Sequence, residues 1–190
     1  VMNQRESDLK EIKRIISKKD SNAVEEKAFH LIQIYPRDEE ILLLLCGIFE
    51  SDWHTRQEDL ASSFQYIKNP ITAKSLFNMS FKLIEYDKWN DTYPMQRKCV
   101  WALADIGTSE AKNYLKEIEF KAIETISSFA TKRLNNWDAE FRRKGQMLLN
   151  DKRRGFNLSI ENYNDSKVSL PNDGQKIIGS LLNTRQHRSP

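Results

Sequence analysis

The sequence predicts an all-α fold: an α-solenoid of about four helical hairpins across residues 1–140, followed by a basic tail over 141–190. Three observations predict it. Apolar residues recur at helical spacing through the first part of the chain, cut at short intervals by Pro, Gly and capping residues. The stretch 63–77 reappears at 102–115 with a period of 38–39 residues, and such periods belong to stacked helix–turn–helix units. Hydrophobic residues are 39% of the chain and charged residues 30%. That is the lean core of an array whose units touch only their neighbours.

Eight helices are expected in order. The first covers 6–18, with Leu9, Ile12, Ile15 and Ile16 at helical spacing. Ser21 or Asn22 caps a second that runs to Ile34 through Val24, Ala28, Phe29, Leu31 and Ile32. Pro36 near its first position opens the third, and Asp38, Glu39 and Glu40 load its first turn, where the helix dipole favours acids. This third helix reaches Phe49 and is apolar almost all round, so other helices must cover several of its faces. A polar corner, "SDWHTRQED", leads to a fourth helix over 56–68. "NP" at 69–70 starts a fifth that runs to about Tyr86, and a second polar corner, "DKWNDTYP", follows. Pro94 opens the sixth helix and Gly107 ends it, because glycine tolerates the left-handed conformation. Thr108 caps the seventh, and the eighth covers 121–140.

The repeat is read by setting Ile67 over Ile106, Phe64 over Leu103 and Ser63 over Ala102. One residue of slack in the turn then sets Ala73 over Ala111 and Phe77 over Leu115. A weaker third copy sets Phe129, Ala130 and Leu134 over Trp101, Ala102 and Ile106 at a spacing of 28.

Charge is divided unevenly. Residues 1–140 carry 20 Lys and Arg against 23 Asp and Glu, whereas 141–190 carry 10 against 4. A mildly acidic body argues against a nucleic-acid groove there, which would need a basic stripe. The tail alternates Phe156, Leu158 and Ile160, then Val168 and Leu170, about a turn-rich "ENYNDS". A β-hairpin and a disordered tail are both consistent with this, since two strands alone are marginal. The longest apolar run, 41–49, is half of what a membrane span needs, and the polar N-terminus lacks the apolar stretch of a signal peptide. Cys46 and Cys99 sit inside apolar helical patterns with no metal-ligand spacing around them. A reducing, cytoplasmic setting is the expectation.

"RKCVWALADIGTSEAKNYL", residues 97–115, resembles the core of a HEAT-like repeat of the short bacterial kind. The wider stretch, residues 51–137, is similar to small bacterial HEAT-like-repeat proteins. Some of these accompany toxins as immunity partners. The resemblance implies a protein-binding role; the residues themselves show no nucleophile–base pair and no Gly-rich phosphate loop, so no catalytic residue, metal or cofactor is expected.

Three clusters are candidate partner-binding residues. The first corner offers Trp53, His54, Arg56 and Glu58. Trp and Arg dominate interface energies, whereas His54 and Glu58 at i, i+4 lack the further ligands a metal needs. The second corner offers Tyr86, Asp87, Trp89, Asp91 and Tyr93, aromatics among acids suited to a basic protein surface. The third is Arg97, Trp101 and Asp105, one helical face. If Trp101 lies in the core instead, Asp105 merely pairs with a neighbour. Corners one repeat apart stack on one edge of a solenoid, so Trp53, Arg56, Trp89 and Asp91 are expected in one patch. The leading expectation is an immunity protein that binds and neutralises a cognate toxin. The alternative is a nucleic-acid-binding or DNA-repair protein on the same scaffold. DNA glycosylases with HEAT-like repeats combine a basic inner wall with a catalytic Asp, a role that would fall to Asp105, and the acidic body counts against it.

Overall fold

The computed structural model describes residues 3–85 and 92–139. Residues 1–144 and 145–190 form separate units, and every described residue belongs to the first. The tail, with its expected hairpin, lies outside the described residues.

Every regular element among the described residues is helical, as expected of an all-α fold. Helix α1 (Gln4–Lys18) begins where the Asn3 side chain accepts from Arg5 N–H, and buries Leu9, Ile12 and Ile15. Next come α2 (Ser21–Ala23), a π-turn (Val24–Ala28) and α3 (Phe29–Ile34), one continuous stretch burying Val24, Ala28, Leu31 and Ile32. Helix α4 (Glu39–Phe49) starts later than Pro36 suggested. The Asp38 carboxylate accepts from Ile41 N–H at 3.2 Å, so the cap sits at Asp38 and Pro36 precedes the helix. Helix α5 (Gln57–Ile67) is followed by a 3-10 turn (Pro70–Thr72) and α6 (Ala73–Met79).

The fifth helix of the sequence reading is thus seven residues shorter than expected. Beyond Met79 the backbone bonds tighten to one-turn spacings, Phe81 N–H to Asn78 O (3.3 Å) and Lys82 N–H to Met79 O (3.1 Å), while Ser80 Oγ donates to Phe77 O (2.7 Å) and Lys82 Nζ reaches Glu50 O (2.9 Å). The Ser80 bond is local, and the Lys82 bond is the tertiary one that ties this segment to Glu50. Helix α7 (Pro94–Ile106) follows, then α8 (Ser109–Lys121) and α9 (Glu124–Asn135).

One turn recurs three times. Lys19 (φ 51°), Lys68 (φ 52°) and Gly107 (φ 73°) each end a helix in the left-handed region. In each case the next residue, Asp20, Asn69 or Thr108, caps the following helical element with its side chain. Lys68 N–H donates to Phe64 O (3.1 Å) and Gly107 N–H to Leu103 O (3.2 Å), so residues aligned by sequence occupy equivalent places. The one residue of slack between Ala73 and Ala111 is accommodated by the 3-10 turn after Asn69. Both alanines are buried.

Packing alternates along the chain. Helices α3, α5, α7 and α9 lie side by side in one layer. In the other, α1 packs on α4, α4 on the 3-10 turn that leads into α6, and α6 on α8. The core runs between the layers, with Phe49 of α4 edge-on to Phe64 of α5 at 5.4 Å. Ala102, Ala104, Ala111 and Ala130 are buried where helices meet, and their small side chains permit close approach.

Candidate functional site

The first corner is built around a buried histidine. His54 is 4% exposed. Its Nε2 lies 2.8 Å from Ile48 O, and its Nδ1 accepts from Arg56 N–H at 3.0 Å. A carbonyl on one side and an N–H on the other require the neutral ring with the proton on Nε2. Burial pushes its pKa below 6.5; the Ile48 carbonyl pulls it up, and the charge of Lys82 pushes it down. Gln57 Nε2 donates to Ser51 O (3.0 Å) and His54 O (2.8 Å), closing the corner. His54 is therefore an interior pin, not a partner contact. It precedes α5, so it does not share a helical face with Glu58.

The other residues of that corner are also engaged. Trp53 is half-buried against the core and meets the His54 ring edge-on at 5.1 Å. Arg56 pairs with Glu25 of the π-turn and with Asp59 (3.7 Å). Glu58 pairs with Lys98 of α7 at 2.9 Å. Tyr86, Asp87, Trp89 and Asp91 lie outside the described residues, and so does the patch they were expected to share with Trp53 and Arg56. The segment before them does approach the first corner, through Lys82 on Glu50 O and Ser51 O. Tyr93 is half-buried, with φ 46°, immediately before Pro94.

The third cluster comes together on α7. The Arg97 guanidinium lies over the Trp101 ring at 5.4 Å, and one turn beyond Trp101, Asp105 accepts from Gln65 Nε2 at 2.7 Å. Trp101 is half-buried, resting on the core while part of the indole stays at the surface. The structure adds Arg133 of α9, whose guanidinium lies 5.0 Å from the same indole. Two guanidiniums thus attend one ring, an arrangement favoured by the negative face of the π system. Glu58–Lys98 and Gln65–Asp105 tie α5 to α7 on either side of this group. Sequence reasoning missed Arg133 and Gln65. A signal existed for Arg133: at the spacing of 28 it falls over Asp105 and belongs to the same face.

The cysteines offer no nucleophile. Burial pushes the Cys46 thiol up to about 12 and the Cys99 thiol higher still, so both are protonated at neutral pH. Among the described residues, no group of three or more His, Cys, Asp or Glu could hold a metal ion. No described helix is long and apolar enough to cross a membrane. No family model, curated protein or solved structure matches this chain. The reading of the site therefore rests on its own chemistry: a cationic, aromatic surface on a packed pair of helices.

Proposed function

We propose that this chain is a non-catalytic protein-binding module whose contact surface centres on Trp101 with Arg97 and Arg133. The observation that carries the reading is the half-exposed indole flanked by two guanidiniums. Trp and Arg are the residue types richest in interface binding energy, and anchors work best when their rotamers are held before binding. Here α7 and α9 hold all three side chains, so little conformational entropy is lost on docking. The specific form of the proposal is an immunity protein that neutralises a cognate toxin in the cytoplasm. It is supported by the resemblance of residues 51–137 to bacterial HEAT-like-repeat proteins. Such a partner would be held tightly by the aromatic anchor, with charge setting the association rate.

The test is capture from the native host with the full chain and its Trp101→Ala variant. The reading expects one protein partner that binds the parent chain and is weakened by about 2 kcal/mol or more in the variant. A partner held equally by both, or no partner at all, overturns it. A toxin-like open reading frame beside the gene supports the immunity form, and an operon of metabolic genes counts against it.

A further inference from the structure

Resting on that reading, we infer that the partner presents a carboxylate side chain to Arg97 at the rim of the Trp101 indole. Arg97 differs from three other half-buried arginines of the body. Arg5, Arg14 and Arg56 have side chains 36–39% exposed, and each is paired with two carboxylates: Arg5 with Asp38 and Glu40, Arg14 with Glu11 and Asp20, Arg56 with Glu25 and Asp59. The neighbouring Lys98 has Glu58. Arg97 makes no ion pair among the described residues, and its Nε is buried without a hydrogen-bond partner. A guanidinium partly removed from water, held over an aromatic ring and lacking an anion is one that a carboxylate from outside can pair.

The surroundings define what kind of anion fits. Trp101 supplies an apolar plate beside the fork, and Arg133 adds a second cation at the same ring. An Asp or Glu flanked by an apolar residue matches this: the carboxylate meets the guanidinium and the neighbour covers the indole. A polyphosphate backbone matches poorly. Asp105 stands one turn from Trp101, and residues 1–140 carry 23 acids against 20 basic residues. A chain of phosphates would meet that repulsion with every added charge, whereas one carboxylate would not.

The experiment uses the full chain labelled with nitrogen-15 at the tryptophan indoles, with the Trp101 signal assigned by Trp101→Phe. It is titrated with N-acetylated, amidated tetraglutamate, and in parallel with tetralysine and with a short oligothymidylate. The expected result is a saturable shift of the Trp101 indole with tetraglutamate, weakened about tenfold in Arg97→Met, which keeps the aliphatic stem and loses the charge. Arg97→Lys, which retains charge without the fork, should fall between the two. Unchanged helical circular dichroism in both variants separates loss of binding from loss of fold. The inference is overturned by the absence of a saturable shift, by equal affinity in Arg97→Met, or by tighter binding of tetralysine or oligothymidylate. Its failure is distinct from failure of the binding-module reading, which is judged by whether capture of a protein depends on Trp101.

Discussion

The imidazole of His54 and the carbonyl of Ile48 are joined across the end of α4, Nε2 to O, at 2.8 Å. With Nδ1 already accepting from Arg56 N–H at 3.0 Å, the ring has no site for a second proton. Protonation would set two donors against each other and unpin the start of α5.

This relationship predicts a pH dependence with a definite sign. The folded-state pKa of His54 lies below its ordinary 6.5. The unfolded chain therefore binds the proton more readily, and stability falls as pH drops below about 6.5. Above that value the His54 contribution is complete. Lys82 is the charged group that bears on the titration of the ring, pushing its pKa further down. Urea midpoints should fall between pH 7.5 and 5.5 for the parent chain. A His54→Gln variant should be weaker throughout and flatter over that interval. Parallel pH profiles for the two proteins would sink the assignment.

A second prediction concerns the left-handed turns. Gly107→Ala should lower stability by about 1 kcal/mol, since a Cβ at φ 73° is strained. Lys68→Gly should do the reverse, raising it by a few tenths to about 1 kcal/mol, because Lys68 already sits at φ 52°. Chemical denaturation of both variants decides the matter. If Lys68→Gly is markedly less stable, the strain argument fails.

Asp38 joins two elements. Its carboxylate caps α4 and accepts from Arg5 Nε (2.5 Å) and Nη2 (3.0 Å) of α1. The Arg5 bonds hold its pKa below the usual 3.8; burial opposes them and the Ile41 N–H assists. Asp38→Ala should cost about 1–2 kcal/mol through the lost cap. The carboxylate's contribution is present above pH 3.8 and is lost as pH falls through the lower folded value. Asp38→Asn should keep part of the cap and lose that acid sensitivity, as read from acid-unfolding curves.

Trp101 and Leu103 lie two residues apart on α7, and their replacements should separate binding from stability. Leu103 is fully buried, and Leu103→Ala should cost about 2–5 kcal/mol of folding free energy. Trp101→Ala should cost distinctly less stability while abolishing most partner affinity. Equal thermal destabilisation of the two variants would make Trp101 a core plug. Trp53, which packs on the core and on the pinned His54 ring, should behave more like Leu103 than like Trp101.

What the sequence determined by itself is local. Helical periodicity located the helices, because burial of one face demands a recurrence every three or four residues. Gly107 and Thr108 marked a helix end and a helix start, because few residue types suit those backbone positions. The alignment of Phe64 with Leu103 held because both precede the same turn. Tertiary structure decided the rest. Lys19 and Lys68 adopt the left-handed conformation although lysine does not announce it, since the packing of flanking helices imposes the turn. Helix α6 stops at Met79, and Lys82 in the segment after it finds partners in Glu50 O, 32 residues away in sequence, and Ser51 O, 31 away. His54 reads in the sequence as a partner contact because its neighbours are polar, yet its two bonds go to backbone atoms of Ile48 and Arg56, which no side-chain pattern records. Arg97, Trp101 and Asp105 shared a face on helical spacing alone, whereas Arg133 joined them only through the packing of α9 on α7. Spacing along one helix is fixed by covalent geometry; proximity between helices depends on which apolar faces bury each other, a property of the whole domain.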